Sequence, residues 1–145
     1  MVPGHRVIGR METLITFACK VRDLPGWRNV TGAIPVSGTL LHHEDVQNFS
    51  QGVARALEHE LAYGIDVELG EDGKQALTVS GWWTENDVHL GISSIETVKL
   101  GFVPPGHADR IRASGHSRLK AQLLSVCCPY GEEEADIVFQ IFLPI

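Results

Sequence analysis

The chain has 145 residues, of which 43% are hydrophobic and 21% are charged, and this composition is typical of one folded globular domain. Its net charge of −6 argues against nucleic acid as a partner, because proteins that bind phosphate backbones present a strongly basic surface. The sequence has no apolar run long enough for a membrane span, and three cysteines cannot all pair within one chain, so we expect a reducing, cytoplasmic location.

The N-terminal part of the chain predicts strands and turns. Residues 1–10 contain glycine and proline and are expected to form an extended tail, which leaves residues 11–145 as a single domain. Residues 13–21 alternate between two largely apolar faces, as a strand does. After a proline-glycine turn, residues 27–41 contain β-branched residues interrupted by glycine and proline, which favours one or two short strands.

One long segment, residues 44–63, has the periodicity of an amphipathic helix. Its apolar stripe repeats at spacings of three and four and consists of Val46, Phe49, Val53, Leu57 and Leu61. Gly64 is placed to cap the C-terminus of this helix. Gly52, in the middle, costs up to about 1 kcal/mol relative to alanine, so we expect a close approach between the helix and a sheet at this position.

A hairpin and further strands are expected after the helix. Residues 65–69 and 75–83 flank an Asp-Gly turn at residues 70–73, which is a strong hairpin signal. Residues 84–87 are expected to turn the chain into segment 88–103, which is long enough for one bent strand or two.

The C-terminal part has a less regular pattern. Residues 107–117 form either a loop or a short helix, and residues 118–126 alternate as a strand does. Residues 137–143 are apolar on both faces, which indicates a central strand beneath the helix or a subunit interface. The predicted fold is α+β: a bent, mainly antiparallel sheet of about six to eight strands, able to curl into a half-barrel, packed on the one long helix.

Residues 107–120 collect cations and histidines in an otherwise acidic protein. Because guanidinium groups match the geometry of phosphate and carboxylate, we take Arg110, Arg112, His116 and Arg118 as candidates for binding an anionic ligand or an acidic partner. The alternative is that these cations pair with the acidic turn at residues 132–136.

Trp82 and Trp83 are adjacent in a predicted strand, so one ring points into the core and the other points outward. An exposed tryptophan at the end of a hairpin can anchor a partner or stack on a ligand, although the N-terminal tail could also cover it. Cys127 and Cys128 are adjacent in the same way, and we expect alternation to bury one sulfur rather than to create a reactive pair.

Seven histidines are many for a chain of this length, and His42 and His43 directly precede the helix. Adjacent histidines point in different directions and no metal-binding motif accompanies them, so a solvated helix cap explains them better than a metal site does. A zinc hydrolase that uses His42 or His43 together with His59 or His89 is retained as a further alternative.

Two main hypotheses for function follow. The first is a small acidic binding protein without catalysis, which acts on a protein partner as a regulator, inhibitor or immunity factor. Its apolar C-terminal strand would form an interface with that partner or with a second copy in a homodimer. The second is a pocket for a small anionic ligand, with or without catalysis, in which the 107–120 segment holds the anion and an exposed tryptophan stacks on its organic part. Neither hypothesis requires a cofactor.

Overall fold

The computed structural model describes residues 5–8, 12–69, 76–87, 89–129 and 134–145. Over these residues the chain is α+β, with antiparallel sheet packed against one long helix, as predicted. In chain order the elements are β1 (His5–Ile8), β2 (Glu12–Ala18), β3 (Trp27–Asn29), β4 (Ile34–Pro35), a 3₁₀ helix (Thr39–His42), α1 (His43–Glu58), β5 (Tyr63–Leu69), β6 (Leu77–Asp87), β7 (Ile92–Phe102), α2 (Pro105–Ala113), β8 (Lys120–Pro129) and β9 (Asp136–Pro144).

The strands are divided between two antiparallel sheets. The larger sheet has the order β1-β2-β8-β9-β3, with β4 also paired to β9, and the smaller sheet has the order β5-β6-β7. Two backbone hydrogen bonds between Ser37 and Phe102, each 2.8 Å long, join the sheets at one side. At the other side, β5 lies beside the first half of β8 with no backbone ladder between the described residues of the two strands. The result is a curved shell that stays open along a seam, the line where β5 faces residues 118–123.

Helix α1 packs inside this shell, mainly against β6 and β7. The contact is very close, because a Cβ atom added at Gly52 would overlap the ring of Trp83 and one added at Gly81 would overlap the ring of Phe49. The two rings meet edge to face, with centroids 6.2 Å apart. The expected close approach at Gly52 is therefore confirmed, and it explains why a residue of low helix propensity lies in the middle of α1.

The predicted C-terminus of the long helix is wrong. The helix ends at Glu58 rather than near residue 63, because Glu60 takes a left-handed conformation with φ of 57° and reverses the backbone. The N–H of Leu61 then donates to the carbonyl of Ala56 at 2.7 Å, which closes the last turn. Gly64 is not a helix cap but a β5 residue, and its missing side chain leaves room for the ring of Trp82.

The predicted turn at residues 84–87 is also wrong, because β6 continues to Asp87 and pairs with β7 from Thr78 to Asp87. The chain reverses after Asp87 instead, where the Asp87 carboxylate accepts hydrogen bonds from the N–H groups of His89 and Leu90. Gly91, with φ of 65°, completes this reversal. The pairing of β5 with β6 agrees with the predicted hairpin, whereas its turn at residues 70–73 lies outside the described residues.

The structure also decides between alternatives that the sequence left open. The uncertain segment at residues 107–117 contains most of α2, which begins two residues earlier at Pro105, whose fixed φ suits a first helical position. Strand β9 is central, because β8 pairs with one of its edges and the short strands β3 and β4 pair with the other, and residues on both of its faces are buried. Part of the expected N-terminal tail is extended but paired, since β1 adds to the edge of β2. No described helix is long and apolar enough to span a membrane.

Replacement of Gly52 by alanine should lower the free energy of unfolding by about 1–3 kcal/mol, because the added methyl group collides with Trp83 in a packed core. Helix propensity alone would predict a gain of up to about 1 kcal/mol from the same change. Urea denaturation measures the difference.

The matched control is Gly106→Ala in α2, where an added Cβ meets no atom within 4 Å and the stability should be unchanged or slightly raised. Equal effects of the two substitutions would contradict the close approach of α1 to β6.

Candidate functional site

A cleft opens where the seam meets the loop after α2. Its volume is about 670 Å³, within the range of small-molecule pockets. Five polar or aromatic side chains define what we call the basic cleft: Trp27, Arg112, His116, Arg118 and Lys120. Three of the four positively charged or histidine candidates from the 107–120 segment are thus brought to one place.

Trp27 is the aromatic residue of this cleft. The guanidinium carbon of Arg118 lies 5.4 Å and the Nζ atom of Lys120 lies 4.7 Å from the centre of a Trp27 ring, both within the range of cation–π contacts. The sheet register places these residues together, because Trp27 is opposite Pro144 of β9 and Lys120 is opposite Phe142, two residues away on the same face. Sequence reasoning missed Trp27, since the pairing of β3 with β9 joins segments more than a hundred residues apart.

The floor of the basic cleft is apolar. Leu77 of β6 and Ile111 of α2 line it and are almost wholly buried. Arg112 lies next to Ile111 on α2, and its Nε and Nη2 atoms are buried. These two nitrogen atoms are shielded from solvent, so Arg112 contributes a positive charge beside the apolar floor.

The described residues that line the basic cleft carry a net positive charge. Among them, Arg112, Arg118 and Lys120 carry fixed positive charges, and Glu68 is the one carboxylate. Asp136 of the acidic turn is remote from Lys120, because it is opposite Cys127, seven residues or about 23 Å along β8. Residues 130–133 of that turn lie outside the described residues.

Arg110 does not belong to the basic cleft. Residues two apart on a helix point in nearly opposite directions, and Arg110 lines a smaller pocket on the other side of α2, together with Arg28 and Thr31. Its Nη2 atom lies 2.7 Å from Nδ1 of His107, one turn away. The structure therefore separates Arg110 from Arg112 and Arg118, with which the sequence grouped it.

The tryptophan pair is divided as alternation predicts, since Trp83 is buried and Trp82 is half-buried. Trp83 belongs to the core, and its Nε1 atom donates to Glu85 at 2.9 Å. This hydrogen bond and a 2.7 Å ion pair with Arg55 lower the pKa of the Glu85 carboxyl. Trp82 lies outside the basic cleft and lines the adjoining pocket of the seam, about 400 Å³ in volume.

The histidines do not converge on a metal site. His43 begins α1 and His59 follows its end, so they are about 24 Å apart along the helix. The ring of His42 packs against Phe102 instead, with centroids 6.4 Å apart. The described part of the chain contains no group of three histidine, cysteine or acidic side chains able to hold a metal ion.

The cysteines follow the predicted alternation. Cys128 is buried and Cys127 is half-buried, and all three cysteines are free thiols. Burial raises the pKa of the Cys128 thiol and that of the Cys19 thiol, so little thiolate forms at either sulfur near neutral pH. Neither residue is suited to act as a nucleophile.

Comparison of the chain with protein-family models, with curated proteins and with solved structures finds no match. The case for a site therefore depends on the geometry of the chain itself. Within that geometry the basic cleft combines three fixed cations, an aromatic ring and an apolar floor.

An aromatic disulfide reagent should modify the native protein first at Cys127, because the other two sulfurs are buried and protonated. The rate is measured by the absorbance of the released thiolate. Cys127→Ser should remove the fast phase, and a fast phase that survives this substitution would contradict the assignment.

Burial and a hydrogen bond with Cys19 raise the pKa of Tyr63 from 10.0 to about 12. Between pH 10 and about 12 the folded protein keeps the phenol protonated, whereas the unfolded chain loses this proton. The stability that this contact provides is therefore intact below pH 10 and is lost as the pH rises towards 12. Ultraviolet titration should show one of the two tyrosines ionising late, and Tyr63→Phe should remove that step. Ionisation of both tyrosines near pH 10 would contradict the raised pKa.

Proposed function

We propose that the protein binds a small organic anion, a carboxylate or phosphate attached to a flat or apolar body, in the basic cleft. The observation that carries this proposal is the convergence of Arg112, His116 and Arg118 on one cleft with Trp27 and Lys120. In this proposal the tryptophan that stacks on the organic part of the ligand is Trp27, and not Trp82 or Trp83 as the sequence suggested.

The charge of the cleft supports an anionic ligand. The described lining of the cleft carries a net positive charge, whereas the protein as a whole has a net charge of −6. The cleft would therefore attract an anion more strongly than the average surface does. Arginine also provides paired donors that a carboxylate or phosphate can accept in two parallel hydrogen bonds. Arg118, which is exposed beside Trp27, can present such a pair of donors, and Arg112 adds positive charge to the lining of the cleft.

The remaining walls of the cleft support an organic body on the ligand. Trp27 offers a ring surface at the mouth, and Leu77 and Ile111 provide an apolar floor. A bare inorganic ion would leave most of the volume of about 670 Å³ to water. A planar or acyl group would instead displace that water and bury apolar surface, which stabilises the complex by roughly 25 cal/mol per Å².

The rival hypothesis, action on a protein partner as a regulator, inhibitor or immunity factor, has less support from the geometry. In that hypothesis the apolar C-terminal strand forms the interface. This strand is β9, which lies inside the larger sheet with Ile137, Phe139 and Ile141 in the core. The acidic net charge remains its support.

The proposal is tested by thermal unfolding in the presence of aryl carboxylates, acyl carboxylates and nucleoside monophosphates, followed by calorimetry on any compound that raises Tm. Arg118→Gln should weaken binding of that compound by about 10-fold to 100-fold, because a hydrogen bond to a charged group contributes about 1.5–3 kcal/mol. Higher salt should weaken binding in the same direction.

The matched control is Arg110→Gln, which removes the same charge from the other side of α2 and should leave the affinity nearly unchanged. No rise in Tm with any of these compounds, or equal losses in the two variants, would contradict binding in the basic cleft.

A further inference from the structure

The hairpin of β6 and β7 extends beyond the rest of the molecule. All side chains from Ile92 to Thr97 are exposed, although in a strand they point alternately to the two faces. Ile92 is 57% and Ile95 is 67% exposed, and Leu90 in the turn is 68% exposed. Two-stranded hairpins with both faces in water are marginally stable, so three exposed aliphatic side chains on this one indicate a surface that is covered by a partner.

The outer edge of β7 has backbone groups that face outward and have no strand partner among the described residues. The N–H of Thr84 in β6 donates to Ala62 on the β5 side at 3.0 Å, so the polar groups of Thr84 point away from β7. Ile95, directly opposite Thr84, is therefore in a non-hydrogen-bonded pair, and its own N–H and C=O point to the outer edge. By alternation, those of Ser93 and Thr97 do the same.

Within the described residues this edge is covered at one end alone, where Ser37 pairs with Phe102. The exposed part contains no proline, and Lys99 is its single lysine, so the usual protections of an edge strand are weak. An antiparallel strand could add to it along several residues without displacing any described contact.

We infer that a second copy of this chain occupies the edge, so that two β7 strands pair antiparallel about a two-fold axis at Ile95. The strand is self-complementary in that register. Ile95 faces itself, and the other opposed pairs are Ile92 with Val98, Ser93 with Thr97, and Ser94 with Glu96. Aliphatic residues meet aliphatic residues, and each Glu96 carboxylate meets a serine hydroxyl.

Neighbouring registers are worse. A two-fold axis perpendicular to the sheet must place one residue directly opposite the same residue of the other copy. Any other register would set side chains on one face of the sheet opposite side chains on the other face. An axis at Glu96 sets two carboxylates against each other, and an axis at Ser94 sets Ile92 against Glu96. With the axis at Ile95, the pair of Ile95 residues and each pair of Ser93 with Thr97 exchange two backbone hydrogen bonds. The smaller sheets of the two copies then become one continuous sheet.

Disulfide trapping tests the register. Ser94 and Glu96 of the two copies are opposed in a non-hydrogen-bonded pair, with Cα atoms about 4.5 Å apart, within reach of a disulfide. A mixture of the Ser94→Cys and Glu96→Cys proteins should therefore form a covalent dimer on mild oxidation. Each variant alone places its new cysteines diagonally, about 7–8 Å apart, and should form much less. Equal cross-linking in the mixture and in the separate variants would overturn the register.

Sedimentation equilibrium tests the dimer itself. The unmodified chain should sediment with twice the mass of one chain, and Ile95→Lys should raise the dimer dissociation constant at least about tenfold by placing two ammonium groups on the axis. Leu41→Lys, at a site 78% exposed on the 3₁₀ helix, should leave the mass unchanged. A monomeric unmodified chain would overturn the inference. That result would not affect the anion proposal, because no residue of β7 lines the basic cleft.

Discussion

The packing of α1 against β6 is the contact on which the rest of the structure depends. Two glycines on opposite sides of the interface, Gly52 and Gly81, each make room for an aromatic ring of the other element. The backbones approach closely enough for Phe49 and Trp83 to be buried together. Every strand of the smaller sheet is positioned by this contact, because β6 is its middle strand.

The same contact gives the shell its open seam. With β6 held against the helix, β7 reaches Ser37 and closes one side, while β5 remains beside β8 without pairing to it. Cavities form along that unpaired line, and the basic cleft is one of them. The candidate site is thus a consequence of how two curved sheets fail to close, which is a common origin of pockets in β-rich proteins.

Fixed positive charge is concentrated at this cleft. The chain is acidic overall, yet the loop after α2 and the start of β8 present fixed cations beside Trp27. The acidic residues that could have neutralised them include Asp136, and the antiparallel register carries it to the far end of β8. A local positive field therefore persists beside the apolar floor, and the proposal of an organic anion as ligand depends on this combination.

The sequence by itself determined the local features, because they depend on residues near one another in the chain. The period of α1, the alternation that separates Trp82 from Trp83 and Cys127 from Cys128, and the meaning of Gly52 could all be predicted from neighbours. The left-handed turn at Glu60, which ends α1 early, was not predicted, because a glutamate has no intrinsic preference for that conformation.

Only the tertiary structure decided what depends on pairing between distant segments. The register of β3 and β8 on β9 brings Trp27 to Lys120, and the helical geometry of α2 removes Arg110 from the group that contains Arg112. Side-chain period reveals which face of a strand is buried but not which strand lies next to it. For that reason the cations of the site could be named from the sequence, whereas its aromatic residue and its floor could not.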